Sequence, residues 1–366
     1  VAVFRDRIGG KRGVGLANSP IKFGTDGWRG IIDQDFTLDN VRACAKGVAD
    51  YLRGKGLADR GLIIGYDTRR GSEDFAAAAA EVAAASGIKV YLCPQAAPTP
   101  VVSYGVLARK TGGAIVITAS HNPAQWNGFK FKTEEGTSAS TGVTTEIEKR
   151  IANALATGEI KRLPLDKALD QGVIEYLDLT PSYDRQLGKL VDLERLRQAK
   201  LKVVVDPMYG AGIGYFKRLL GGGAIQLTEI NGQRDPQFGG INPEPIAVNL
   251  AKLSATVKEQ EADIGLATDG DADRIGVMDE KGQFLTQLQV FALLCLYLLE
   301  VRGERGALVR TLTSTTMIDR LGEIYDLPVR VVPVGFKYVA PIMIPEKALI
   351  GGEESGGYGF RGHVPE

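Results

Sequence analysis

The chain has 366 residues, 44% of them hydrophobic and 24% charged, enough for two or three domains that each bury a core. Its 44 basic and 44 acidic residues cancel, which argues against nucleic acid or an anionic membrane as the main partner. An anionic substrate must therefore be gripped by a local cluster of cations. Three scattered cysteines, Cys44, Cys93 and Cys295, support neither a disulfide framework nor a zinc site and point to a reducing, cytoplasmic setting.

Residues 1–20, with Arg5, Lys11 and Arg12 among glycines, lack a signal-peptide pattern and read as a loose leader. Phe23-Gly24-Thr25-Asp26-Gly27-Trp28-Arg29-Gly30 sets Arg29 in a glycine-bounded turn, where a guanidinium could orient a phosphate through paired hydrogen bonds. Taken alone, a surface turn with a packed Trp28 accounts for it better. Thr37 caps a helix with Leu38, Val41, Ala45, Val48, Ala49 and Leu52 on one side, ending at Gly54. Leu62 to Tyr66 is a strand leading into the turn Asp67 to Gly71; Ser72 is placed as the cap of an alanine-rich helix that Gly87 closes. A strand to Leu92 and a helix from about Thr99 to Lys110 lead to the apolar run Gly113 to Ile117. This succession of βαβ units favours a mostly parallel, helix-covered sheet.

That apolar strand empties into Thr118-Ala119-Ser120-His121-Asn122-Pro123, a tight loop at the strand end where ligands of αβ sheets are usually met. Ser120 is expected there with its hydroxyl toward solvent, and Lys130 brings a cation ten positions on. Ser120 beside His121 invites a serine-hydrolase reading. Adjacent side chains diverge, however, which leaves His121 poorly placed as a base, and no G-x-S-x-G elbow surrounds the serine.

The polar stretch 158–170 reads as a linker. A second αβ unit opens with the strand Leu201 to Val205 and closes with Ile264 to Ala267 and Ile275 to Met278. Between the last two lies Thr268-Asp269-Gly270-Asp271-Ala272-Asp273-Arg274. Its alternate carboxylates, Asp269, Asp271 and Asp273, suit a hard divalent cation, Mg²⁺ or Ca²⁺, and would otherwise repel one another. The pattern also resembles an EF-hand start, but Arg274 stands where that loop needs glycine. A solvated acidic hairpin is the bland alternative. A third unit starts near Gln283, with Val290 to Leu299 as a buried helix too short to span a membrane. It ends in a strand at Ala348 to Ile350 and the loop Gly351-Gly352-Glu353-Glu354-Ser355-Gly356-Gly357, whose acceptors suit sugar hydroxyls. A glycine-rich turn with surface glutamates explains that loop equally well.

Together these four motifs, in this order, resemble the α-D-phosphohexomutases, the phosphoglucomutases and phosphomannomutases, from about Ile21 to the last residue. The resemblance implies three consecutive αβ domains with mixed, mostly parallel sheets covered by helices and the active site in the cleft between them. Their expected bounds are 21–165 (phosphoserine loop), 166–282 (metal loop) and 283–366 (sugar loop). It implies that Ser120 carries the phosphoryl group and that Asp269, Asp271 and Asp273 hold Mg²⁺ together with a phosphoserine oxygen. Lys130 and Arg29 would lie beside the phosphoryl group, with His121 also among the catalytic candidates. Glu353 and Ser355 would bind the sugar, and Arg274 would hold the metal loop and its charge. Gly335 and Lys337 would belong to the other sugar-facing loop, where Val334 replaces the family's usual threonine.

The activity implied is interconversion of hexose 1- and 6-phosphates through glucose 1,6-bisphosphate, by a cytoplasmic monomer or homodimer. Gly357, where the phosphomannomutase/phosphoglucomutase subgroup has histidine, leans the preference toward glucose. The family's fourth domain, which grips the phosphate not being transferred, has no counterpart before Glu366, and a chain without that grip is expected to be a poor mutase. A bisphosphate synthase, a sugar-phosphate-binding relative without catalysis and a divalent-metal phosphatase are the alternatives. An intact nucleophile, carboxylate triplet and lysine argue against a pure binder.

Overall fold

The computed structural model describes residues 21–365; the leader expected at 1–20 lies outside the described residues. Three αβ units follow one another, each built on its own sheet.

The first unit runs β1 (Trp28–Ile31), α1 (Leu38–Gly54), β2 (Leu62–Tyr66), α2 (Ser72–Ala85), β3 (Val90–Leu92) and α3 (Thr99–Arg109). It continues with β4 (Ala114–Ile117), β5 (Trp126–Lys132), α4 (Thr141–Thr157), α5 (Leu165–Asp170) and β6 (Ile174–Tyr176). The sheet order is β1-β5-β4-β2-β3-β6. β4, β2, β3 and β6 are parallel, while β5 and β1 close one edge antiparallel. β2 and β4 sit inside, buried on both faces, as their unbroken Leu-Ile-Ile and Ala-Ile-Val-Ile runs require. Thr37 accepts from the Asn40 amide and caps α1 as its sequence predicts. Ser72 does not cap α2. Its hydroxyl donates to Asp67 and accepts from Asn127 instead, because both neighbours are buried and need partners. The expected linker at 158–170 contains α5, and β6 beyond it still pairs with β3.

The second unit holds α6 (Thr180–Leu190), α7 (Leu193–Gln198), β7 (Lys202–Asp206), α8 (Tyr215–Leu220), β8 (Gln226–Glu229) and α9 (Ala251–Glu259). The hairpin β9 (Ile264–Thr268) and β10 (Ile275–Met278) and the short β11 (Phe284–Leu285) complete it, in sheet order β11-β10-β9-β7-β8. β9 leaves a buried strand parallel to β7 and returns antiparallel as β10, so the acidic loop is the turn of a hairpin at the strand end.

The third unit contains α10 (Gln287–Leu296), β12 (Leu308–Thr311), α11 (Met317–Tyr325), β13 (Val329–Val332), α12 (Phe336–Glu346), β14 (Ile350–Gly352) and β15 (Tyr358–Phe360). Its sheet order is β13-β12-β14-β15. A capping box between Thr286 and Gln289 starts α10, and a π-turn over Tyr297–Val301 extends it. The sequence predicts a buried helix here, yet Leu293 is 52% exposed and Tyr297 48%. An apolar run carries no periodicity to mark its solvent face, and only one side of this helix meets the sheet. Among the described residues, no helix is long and apolar enough to cross a membrane, and all three cysteines are free and buried.

Candidate active site

A cleft of about 240 Å³ forms where loops of the three units converge. Unit one contributes Asp26, Arg29, Ser120 and His121; unit two, Asp273 and Arg274; unit three, Gly335, Glu353, Ser355 and Gly357.

Ser120 follows β4 but is only 1% exposed, at the floor of the cleft and not on its rim as expected. The reason is the acidic loop of unit two, which lies across it: Ser120 Oγ donates to Asp269 Oδ2 at 2.9 Å. The Ser120 backbone is left-handed, with φ 54°. That geometry also overturns the expectation that the His121 ring points away, since its Nδ1 is 3.2 Å from Ser120 Oγ. Burial, with Arg274 and Arg29 nearby, pulls the His121 imidazole down to about 3, so it is neutral at physiological pH. Arg29 lies in β1, paired with Gly128 of β5, and not in a turn; Nη1 donates to Asn122 Oδ1 at 2.7 Å.

Ligand oxygens of Asp269, Asp271 and Asp273 fall within 4.8 Å of one another. Burial, then the Asp273 and Asp271 charges, push Asp269 well above the ordinary carboxylate value; its Oδ1 accepts from the amides of Asp273 and Arg274. Burial pushes Asp271 up as well, but the Lys130 ammonium at 2.8 Å outweighs it and holds the carboxyl low. Asp271 Oδ1 and Asp273 Oδ1 are buried with no hydrogen-bond partner. Orphaned hard oxygens in a converging set are what a divalent cation of the Mg²⁺ type would satisfy, so the residues present fit the metal that the sequence motif implies.

Lys130, 1% exposed on β5, reaches Asp271 at 2.8 Å, Asp273 at 3.2 Å and Asp26 at 2.7 Å. Asp26 is also bound by Lys132, itself buried, at 3.3 Å; burial opposes ionisation there, but the two ammonium groups keep its carboxyl below the usual range. On the opposite wall Glu353 accepts from the Gly335 amide at 2.7 Å and from Ser355 Oγ at 3.2 Å. The adjacent Glu354 turns to Thr311. Lys337 does not line the cleft; its ammonium sits 3.4 Å from the Gly24 carbonyl.

Sequence reasoning missed three participants. Asp26 lies inside the Phe23 to Gly30 motif, where a carboxylate beside an arginine was the available signal. Thr99 opens α3 and donates to Asp271 Oδ2 at 2.6 Å, and no local pattern marks it. Arg69, in the turn after β2, is fully buried behind the Ser120 loop.

Three consecutive αβ units whose loops bring a hydroxyl, a carboxylate cluster and a polar glycine loop to one cleft define the architecture of the phosphohexomutases. Sequence models of the phosphoglucomutase/phosphomannomutase α/β/α domains I, II and III match residues 20–157, 181–282 and 287–366 in turn. The chain belongs to this family. It is 33% identical over 346 residues, 93% of this chain and 72% of the relative, to a protein of Methanosphaera stadtmanae named as a probable phosphoglucosamine mutase. It is 30% identical over 341 residues to the phosphoglucomutase/phosphomannomutase of Thermococcus kodakarensis, covering 92% of this chain and 72% of that one. The chain thus spans about seven tenths of each relative's length. Among solved structures, a protein of Thermus thermophilus put forward as a phosphomannomutase superposes with a TM-score of 0.85 at 35% identity, over 95% of this chain and 77% of that one.

Proposed function

We propose that this chain moves a phosphoryl group between the 1- and 6-hydroxyls of a hexose phosphate, with Ser120 as the covalent carrier and a hexose 1,6-bisphosphate between the two half-reactions. The observation that carries this reading is the 2.9 Å approach of Ser120 Oγ to Asp269 across two units. A nucleophile brought to a carboxylate cluster with two orphaned oxygens is the arrangement that phosphoryl transfer beside a divalent cation needs. Bound at Asp269, Asp271 and Asp273, Mg²⁺ would neutralise charge on the transferring group.

The chain's own residues supply the rest. Arg29 and Arg274 line the cleft with fixed positive charge for a phosphate. Lys130 keeps a proton-rich ammonium among the carboxylates, from which the sugar oxygen that leaves phosphorus can be protonated. Glu353, with Ser355 beside it, accepts from sugar hydroxyls and turns the hexose so that one or the other phosphate end faces Ser120. Burial of Ser120 keeps bulk water off the phosphoenzyme, which favours transfer to sugar over hydrolysis.

The names of similar proteins divide among phosphoglucosamine, glucose and mannose phosphates. Glucose is our reading of the sugar, from Gly357 and from Phe336 on the cleft wall. The test is radiolabel transfer: ³²P-glucose 1,6-bisphosphate should label the wild-type protein on Ser120, and Ser120→Ala should take no label. Label retained by that variant would remove Ser120 from the reaction. Ranking kcat/KM for glucose, mannose and glucosamine 1-phosphates then decides the sugar.

A further inference from the structure

Arg69 lies in the turn between β2 and α2, and the transfer described above gives it no part. Its guanidinium nevertheless places every N–H on the loop that bears Ser120 or on that loop's support. Nε donates to Asp67 Oδ2 at 3.0 Å. Nη1 donates to the carbonyls of Pro123 and Trp126 at 2.9 and 3.1 Å, and Nη2 to those of Ser120 and Asn122 at 2.6 and 2.7 Å. Asp67 in turn accepts from Thr118 Oγ1 at 2.6 Å, and that same hydroxyl accepts from the Ser120 amide at 2.9 Å. The serine is therefore gripped on both sides, its amide by Thr118 and its carbonyl by Arg69. Between the two grips its φ is 54°, a left-handed conformation that a serine leaves when nothing holds it. The Phe238 ring of unit two packs on the guanidinium at 4.8 Å.

We propose that Thr118, Asp67 and Arg69 are positioning residues for phosphoryl transfer: their buried brace holds Ser120 in the inverted backbone conformation that aims its hydroxyl at Asp269. This rests on the reading of Ser120 as phosphoryl carrier. The shape of the brace explains its composition. Four carbonyls fanned around one point need the planar, five-donor guanidinium; an ammonium offers three donors from a single atom. A fully buried arginine must also have a counter-charge, and Asp67 supplies it while fixing Thr118. If the brace lets go, Ser120 relaxes toward negative φ and Oγ swings out of line, and misplacement of a reacting atom by about 1 Å is enough to lower a rate about 100-fold.

The experiment compares Thr118→Val, which keeps the shape and loses the hydroxyl, with Thr118→Ser, which keeps the hydroxyl. Thr118→Val should lower kcat for glucose 1-phosphate about 100-fold with KM unchanged, and Thr118→Ser should restore it. Wild-type kcat in Thr118→Val, or a loss confined to KM, overturns the proposal. Arg69→Lys should lose kcat in the same way; if it does not fold, the Thr118 pair decides. A crystal structure of Thr118→Val reads the brace without any turnover: a negative φ at Ser120 supports it, and a φ still near 54° overturns it. Failure of the carrier reading shows separately, as wild-type protein that takes no ³²P from the bisphosphate.

Discussion

Gly270 and Ser120 meet backbone to backbone: a Cβ built on Gly270 would overlap the Ser120 carbonyl oxygen. The acidic loop of the second unit thus rests directly on the hydroxyl-bearing loop of the first. The missing side chain is what lets Asp269 come within hydrogen-bond reach of Ser120 Oγ.

Gly270→Ala should accordingly part the two loops. Neither can give way easily, since the Ser120 carbonyl is already held by Arg69. Turnover should fall about 100-fold while the circular dichroism spectrum stays that of wild type. Unchanged turnover would mean that the contact is not needed for transfer.

Lys130 compensates three carboxylates while itself only 1% exposed. Lys130→Met would leave the Asp271 carboxylate fully buried without its counter-charge, a loss of about 3–5 kcal/mol in urea unfolding without metal. Mg²⁺ should recover part of it, because the cation takes over the compensation. A loss of no more than about 1 kcal/mol would place the lysine with ordinary surface pairs.

Removing one carboxylate of the proposed metal site should weaken metal binding without unfolding the chain. Asp271→Asn should bind Mn²⁺ more weakly by titration, and excess Mg²⁺ should return part of its turnover. Wild-type protein that keeps full activity in a chelator would separate the acidic cluster from catalysis.

Glu353 supplies a pH signature. Burial raises its carboxyl above the ordinary 4.5, against the opposing hydrogen bond from the Gly335 amide and the charge of Arg274. Because the native state holds this proton more tightly than the unfolded chain, the group's stability contribution is complete below 4.5 and fades as pH rises through the raised native value. The ionised form that is proposed to accept from sugar hydroxyls moves the opposite way, growing with pH over the same window. KM for glucose 1-phosphate should therefore rise on the acid side at a pH above 4.5, and Glu353→Gln should flatten that limb. An identical KM profile in the variant would take Glu353 out of sugar binding.

Much of the architecture was legible because its signals are local. Apolar runs marked the inner strands β2, β4 and β7, and Thr37 marked the start of α1. The failures have separate physical causes. Ser72 looks like a cap until Asp67 and Asn127 claim its hydroxyl. His121 looks misdirected until the Ser120 backbone turns left-handed. The exposed side of α10 was hidden because every residue along it is apolar or neutral.

By itself the amino-acid sequence marked the unusual loops and their order, since strand hydrophobicity and turn residues act over a few neighbours. It also determined the carboxylate set, because alternate acidic residues in one short turn must end up close together. Only the tertiary structure decided that Ser120 is buried, that Asp269 lies against it from 149 positions away, and that Arg69 holds both its loop and its backbone shape. Those outcomes depend on which buried polar groups find partners across units, and desolvation penalises any group that does not.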